Sequence, residues 1–130
     1  MSFPVTREDL EYFEGRLVKR MEELRERIEV TRARRHEESL SHSAGEEPDA
    51  LDASVANVAF ETANATMLRD HDERREIDEA LGRISAGSYG TCLRCGQPLE
   101  HARLEAYPAA KRHSQCQNSH ERDLKQRRVS

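Results

Sequence analysis

Residues 92–116 read CLRCGQPLEHARLEAYPAAKRHSQC, a segment that begins with a CxxC pair and ends with an HxxC pair. Zinc binds thiolate sulfur and imidazole nitrogen in tetrahedral geometry, and three cysteines with one histidine are an ordinary ligand set for a structural ion. Both pairs keep the three-residue spacing of metal-binding knuckles. The segment therefore predicts one structural Zn²⁺ per chain, bound by Cys92, Cys95, His113 and Cys116.

Other interpretations of this segment remain open at the level of sequence. His101 or His120 could replace His113 as the fourth ligand, because both lie close to it in the chain. The segment could also be a metal-free remnant held together by apolar packing. The residues that would provide this packing are Leu99, Leu104 and Tyr107. A redox CxxC enzyme is disfavoured, because the flanking sequence lacks the strand–helix context of that chemistry.

The composition of the chain favours long solvated helices over a buried sheet. Hydrophobic residues make up 35% of the 130 residues, aromatic residues 5%, and charged residues another 35%, with no tryptophan. No apolar run approaches the roughly 18 residues of a membrane span. Three cysteines without an N-terminal export signal argue against a disulfide framework and for metal binding in a reducing cytoplasm. We therefore expect a cytoplasmic protein with no membrane partner.

The first long helix is predicted from an apolar stripe near the N-terminus. Thr6 and Asp9 form a capping-box pattern, across which Val5 can pack against Leu10. The stripe then repeats at spacings of three and four, which suits a straight helical seam. Its members are Leu10, Phe13, Leu17, Met21, Leu24 and Ile28. The opposite faces are rich in arginine, a pattern typical of a solvated surface.

A second helix is predicted from about residue 48 to about residue 85, after a turn rich in acidic residues. Gly45 suits the end of the first helix, and Pro48 suits the first turn of the next. Apolar residues mark the two ends of the second helix, and an alanine-rich stretch lies between them. The marker residues are Leu51, Val55 and Val58 at the first end and Ile77, Leu81 and Ile84 at the last. Two helices joined by a tight turn predict an antiparallel hairpin.

The predicted fold class is mainly α: a long antiparallel coiled-coil helical hairpin, a small zinc-finger globular region and a C-terminal helix. We assign residues 1–85 to the hairpin with its N-terminal segment and residues 86–130 to the finger and last helix. The acidic tip of the hairpin lies near residues 45–54. The turn sequence GSYG at residues 87–90 leads into Cys92, and the basic tail after Cys116 is predicted to form the short last helix.

The stretch GSYGTCLRCGQPLEHARLEAYPAAKRHSQC resembles the zinc-finger signature of the DksA/TraR family of bacterial transcription factors. In that family Gly-x-Tyr-Gly precedes CxxCG, and an Arg-Leu-x-Ala-x-Pro segment follows. The matching residues of that segment are Arg103, Leu104, Ala106 and Pro108. The hairpin resembles the family's coiled coil, and Asp49-Ala-Leu-Asp52-Ala-Ser54 resembles its Asp-x-x-Asp-x-Ala tip. The resemblance extends from about residue 6 to about residue 120.

The resemblance implies a non-enzymatic regulator of transcription. Family members bind bacterial RNA polymerase rather than specific DNA sequences, and they insert the coiled coil through the secondary channel toward the active centre. There they change the stability of promoter open complexes, often with ppGpp, the alarmone of the stringent response. We accordingly expect a monomer that binds RNA polymerase, with Asp49, Asp52 and Ser54 at the polymerase active centre.

Three positions depart from the family pattern. His113 replaces the third cysteine, and Ser54 stands where the tip usually has alanine. At the positions that bind ppGpp in the family, this chain has Glu73, Glu76, Tyr107 and Gln117. Acidic side chains repel a polyphosphate. We therefore expect transcriptional effects with little dependence on ppGpp.

Three other functions remain as alternatives. A Gre-like transcript-cleavage or elongation factor uses the same channel and an acidic tip, although the zinc knuckle argues against it. A nucleic-acid-binding zinc protein could act through the basic tail, but Tyr89 and Tyr107 are nearly alone as stacking aromatics. The net charge of −4 also argues against this class. The third alternative is a dimeric coiled-coil scaffold.

Overall fold

A computed structural model describes residues 5–43 and 50–129, and side chains are described for residues 5–38, 40 and 57–127. Within these ranges the chain forms four helices: α1 (Arg7–Ser43), α2 (Ala50–Ala86), α3 (His101–Ala106) and α4 (Ser114–Val129). The prediction of a mainly α fold is confirmed. Among the described residues, no helix combines the length and the apolar character that crossing a membrane requires.

The start of α1 confirms the predicted capping box. The backbone N–H of Thr6 donates to Asp9 Oδ2 at 3.0 Å, and the backbone N–H of Asp9 donates to Thr6 Oγ1 at 3.1 Å. These two bonds satisfy amide groups that the first helical turn cannot pair internally. The same bond from the Thr6 amide is the main reason why the pKa of the Asp9 carboxyl lies below its ordinary value.

The described residues divide into two compact units. One runs from Arg20 to Arg75, and in it α1 and α2 lie side by side. Arg20 contacts Glu73 and Arg35 contacts Asn64, so residues later in α1 meet residues earlier in α2. The two helices are therefore antiparallel, as the sequence predicts. Met21 and Leu24 are buried on the α1 side of this hairpin.

The prediction that Val58 contributes to the buried seam of the hairpin is wrong. Val58 is 62% exposed rather than buried. At this level of the hairpin, polar groups occupy the seam: Arg35 donates to Asn64 Oδ1 at 3.3 Å and lies 4.6 Å from the ring centroid of Phe60. The side chains of Leu51 and Val55 lie outside the described residues.

The other unit combines the chain up to Lys19 with the chain from Glu76 onward. Its centre is Phe13, whose ring lies 6.0 Å from the ring of Tyr89 and 6.3 Å from that of His101, measured between centroids. Tyr89 is buried, and its hydroxyl donates to the Pro108 carbonyl at 2.7 Å. The other large buried side chains of this core are Leu17, Ile77, Leu99 and Leu104.

The elements after α2 differ from the sequence prediction in two respects. Helix α3 was not expected, and it places Leu104 in the core. Helix α4 begins at Ser114, inside the metal-binding pattern rather than after it, because the backbone N–H of Gln117 donates to the carbonyl of His113 at 2.8 Å. Of the final ligand pair, His113 therefore directly precedes α4 and Cys116 lies in its first turn.

Candidate zinc site

The structure brings the four predicted ligands together. One donor atom from each of Cys92, Cys95, His113 and Cys116 lies within 4.8 Å of the others. Nδ1 of His113 is 3.3 Å from Cys95 Sγ and 3.9 Å from Cys116 Sγ. Tetrahedral zinc with bonds of about 2.3 Å to sulfur and about 2.0 Å to nitrogen separates such atoms by roughly 3.5 Å. The two measured distances bracket this value, so the donor set fits zinc.

The CxxC knuckle is built on a short antiparallel ribbon. Thr91 and Pro98 form an isolated β-bridge, and the backbone N–H of Cys92 donates to the carbonyl of Gln97 at 2.9 Å. Between them the chain turns back at Gly96, whose φ of +76° is a conformation that side chains with a Cβ rarely adopt. The Gly96 amide donates to the Cys92 carbonyl at 3.0 Å. Both cysteine thiols of this knuckle belong to the ligand cluster.

The second ligand pair is held at the start of α4 by an arginine from α3. Arg103 donates through Nε to the carbonyl of Arg112 and through Nη1 to Ser114 Oγ at 3.0 Å. These two acceptors flank His113 in the chain. Sequence reasoning noted Arg103 as part of the family motif but assigned it no contact. Its structural role is to fix the backbone on both sides of the histidine ligand.

The electrostatics of the cluster suit a cation. Burial raises the pKa of the Cys92 thiol, but backbone N–H groups, including those of Cys95 and His113, donate to its sulfur and together lower that pKa to about 6. Burial and the neighbouring sulfurs of Cys92 and Cys95 raise the pKa of Cys116. Amide donors therefore favour the thiolate form of Cys92. A second thiolate at Cys116 is disfavoured, because it would lie beside sulfur atoms that already carry negative charge. A bound Zn²⁺ would remove that conflict.

The two other histidines considered as ligands do not join the cluster. The imidazole Nε2 of His101 lies 3.3 Å from Asp9 Oδ2. His120 is not among the grouped donor atoms of the described residues. Of the residues expected to pack a metal-free remnant, Leu99 and Leu104 are fully buried, whereas Tyr107 is 39% exposed. Apolar packing therefore accompanies the ligand cluster instead of replacing it.

The side chains of the predicted acidic tip lie outside the described residues. Asp49 lies outside the described residues. Asp52 and Ser54 belong to α2, but their side chains also lie outside the described set. Their assignment to the polymerase active centre stays a prediction.

The residues at the family's ppGpp positions have partners within the chain. Glu73 accepts two hydrogen bonds from Arg20, at 2.7 and 3.0 Å. Glu76 accepts a hydrogen bond from the hydroxyl of Tyr107. Gln117 donates to Glu121 Oε1 at 3.1 Å and accepts from Arg112 at 3.2 Å. The charge of Glu73 is thus largely offset by Arg20, which sequence reasoning did not foresee.

Comparisons with known proteins agree with this architecture. Residues 87–122 match the family described as the prokaryotic dksA/traR C4-type zinc finger, from which this chain departs by its histidine at position 113. The chain is 37% identical over 117 residues to the RNA polymerase-binding transcription factor DksA of Caulobacter vibrioides, covering 87% of this chain and 76% of that protein. It is 29% identical over 101 residues to general stress protein 16O of Bacillus subtilis, covering 74% and 62% of the two chains.

Solved structures with the same fold include transcription factor DksA2 from Pseudomonas aeruginosa, with a TM-score of 0.73 and 22% identity over 93% of this chain and 89% of that one. The polymerase-binding regulator Dks of Chlamydia trachomatis superimposes with a TM-score of 0.56 and 24% identity over 93% and 96% of the two chains. At these identities the two structures show the fold alone. The sequence relationship to the Caulobacter protein goes further, since it spans both the hairpin and the finger. The chain belongs to the DksA/TraR family of zinc-finger proteins.

Proposed function

We propose that this protein is an RNA polymerase-binding regulator of transcription initiation. The observation that carries the proposal is the 37% identity, over 87% of the chain, to a protein named as an RNA polymerase-binding transcription factor. The antiparallel pairing of α1 and α2 supports it, because a pair of helices is narrow enough to enter a channel. In this proposal the protein is a cytoplasmic monomer without enzymatic activity, and it does not read specific DNA sequences.

The proposed mechanism assigns different roles to the two ends of the hairpin. The hairpin enters the secondary channel of the polymerase and brings Asp49 and Asp52 near the active centre, with Ser54 beside them. A channel that passes nucleoside triphosphates ends at bound Mg²⁺ and basic side chains, which attract carboxylates. Arginine side chains along α1, interspersed with a similar number of acidic residues, offer further polar contacts to the polymerase. The tip therefore acts on the active centre while the remainder of the protein supplies binding energy.

Zinc would have a structural role in this mechanism. Cys92 and Cys95 on the ribbon, together with His113 and Cys116 at the start of α4, would hold the ion and cross-link two segments of the chain. Structural zinc contributes directly to the free energy of folding. The residues of the finger then keep a fixed surface for the polymerase.

The proposed dependence on ppGpp is small. Glu76 and Tyr107 are hydrogen-bonded to one another, so a ligand that recruited Tyr107 would have to break this contact beside a carboxylate. Placing a polyphosphate near Glu76 costs electrostatic energy. Glu73 contributes less to this repulsion, because Arg20 pairs with it.

The test of the proposed function is competition for the polymerase channel. Purified RNA polymerase from the same cells should bind the full-length protein, and a small competitor that occupies the secondary channel should displace it. A Gre-like function would instead appear as transcript cleavage in backtracked complexes. If the polymerase does not bind, or if it binds equally well with the channel filled, the proposed function is wrong.

A further inference from the structure

The two ring nitrogens of His113 have different neighbours. Nδ1 faces sulfur, at 3.3 Å from Cys95 and 3.9 Å from Cys116. Nε2 lies 3.0 Å from the backbone carbonyl oxygen of Pro98. A carbonyl oxygen can only accept a hydrogen bond, so Nε2 must carry the proton in this contact. In the neutral imidazole, the lone pair is then on Nδ1, on the side of the ring where the thiols lie.

We propose that His113 binds the metal through Nδ1 and that the Pro98 carbonyl is the group that positions it. A hydrogen bond at one imidazole nitrogen selects which nitrogen is available to a metal, and such partners also fix the orientation of the ring. The histidine is then an integral part of the site and not a tolerated replacement for cysteine. This inference rests on metal binding alone, so it is independent of whether the protein binds RNA polymerase.

The ribbon explains why the Pro98 carbonyl is in place. Pro98 is bridged to Thr91, and the next residue, Leu99, is fully buried and donates its backbone N–H to the Gly90 carbonyl at 2.7 Å. The proline ring further restricts the backbone at this position. The ribbon that carries the two cysteines of the knuckle therefore also carries the acceptor for His113. Two of the four ligands and the positioning group thus belong to one element of the chain.

A cysteine at position 113 would not reproduce this arrangement. A metal-bound thiolate has no second donor, so it would leave the Pro98 carbonyl without the hydrogen bond it now accepts. Its sulfur is also one bond from Cβ, whereas Nδ1 of histidine is two bonds away. The charge of the site differs too, because a neutral imidazole makes the metal complex one unit less negative than a fourth thiolate does.

Magnetic resonance of the full-length protein loaded with an NMR-active isotope of cadmium tests the assignment. Cadmium is a spectroscopic substitute for zinc, and its scalar coupling to a ring nitrogen identifies the ligating atom. We expect one equivalent of cadmium per chain, a coupling to Nδ1 of His113, and a proton on Nε2 that exchanges slowly with water. His113→Cys keeps four ligands but should lose both the coupling to nitrogen and the slowly exchanging proton, which assigns these signals to His113. His120→Gln is the matched control and should leave both signals unchanged.

Four outcomes would overturn the proposal. Coupling to Nε2 would show that the ring is reversed. A cadmium signal in the wild type that shows no coupling to any histidine, or no cadmium uptake, would show that His113 is not a ligand. Fast exchange of the Nε2 proton with water would show that the Pro98 carbonyl does not hold this proton in a hydrogen bond and so does not position the ring. Because the deciding measurements use the wild-type chain, they do not depend on whether a variant folds.

Discussion

The carboxylate of Asp70 is buried in the helical hairpin and lies 3.3 Å from the guanidinium of Arg27 on the facing helix. Asp70 is only 5% exposed, and it is the one buried charged residue among those described. Arg27 remains about half exposed, so the pair is reached by water from one side. If the arginine is removed, the free-energy cost of burying the carboxylate remains but the ion pair that offsets it is lost.

Replacing Arg27 by alanine should therefore lower the free energy of unfolding by about 1–2 kcal/mol, a value reduced for the exposure of the arginine. The exposed Arg25 offers a matched control, since Arg25→Ala removes the same charge and should change stability by less than about 0.5 kcal/mol. Urea denaturation followed by circular dichroism measures both variants. Equal effects of the two substitutions would show that the Arg27–Asp70 contact is of no consequence.

Removal of the metal should affect the finger and spare the hairpin. We expect one zinc per chain in protein purified without chelator, because all four ligands are assembled. After chelation, amide hydrogen exchange should accelerate across residues 87–122 and change little across the paired helices of residues 20–75. Metal analysis returning far less than one equivalent, or an unchanged exchange pattern, would contradict a structural role for zinc.

Loss of a ligand should be distinguishable from loss of a nearby histidine. Cys116→Ala removes one of the four donors and should lower zinc affinity by more than about 100-fold, beyond what changes in surrounding residues usually cause. His101→Gln is the control, since His101 contacts Asp9 and Phe13 rather than the ligands. Competition with a chromogenic chelator measures both affinities.

Much of this fold could be predicted from the sequence, because its strongest signals are local. The reciprocal bonds of Thr6 and Asp9 span three residues, and the ligand pairs are also three residues apart. Spacings this short reflect the local geometry of helices and turns, so they can be recognised directly in the amino-acid sequence. Helix α3 was missed because its six residues are too short to show a period.

Other features could not be predicted, because they depend on backbone groups or on residues far apart in the chain. The carbonyl of Pro98 that faces His113 has no side-chain signal in the sequence. The exposure of Val58 and the contact of Arg35 with the ring of Phe60 depend on how the two helices pair. The pairing of Glu73 with Arg20 arises in the same way.

The response to ppGpp can be tested with purified polymerase. We expect the alarmone to change the effect of this protein on promoter transcription by less than about twofold, because Glu76 would repel a polyphosphate. Glu76→Gln removes that charge while it retains an oxygen that can accept from Tyr107. A several-fold enhancement by ppGpp in the wild type, abolished by substitutions in the polymerase rim, would show that the proposed independence is wrong.

The acidic tip provides the sharpest test of the mechanism. Asp49 and Asp52 are three residues apart in the sequence, which places them on a common face wherever the chain is helical. If they act on the active centre, Asp49→Asn with Asp52→Asn should abolish the effect on transcription. Polymerase affinity should change by less than about threefold, because in the proposed complex the rest of the hairpin and the finger would carry most of the contact area.

A matched control separates this effect from a general loss of negative charge. Glu37→Gln with Glu38→Gln removes two exposed carboxylates from α1 and should leave transcriptional activity intact. If the tip acids serve only to stabilise the start of a helix, their loss should cost about 0.3–1 kcal/mol each and leave activity unchanged. Thermal unfolding, polymerase binding and promoter transcription on the two double variants therefore distinguish the mechanisms. Normal activity in the aspartate variant, with a slightly lower melting temperature, would show that the tip is structural.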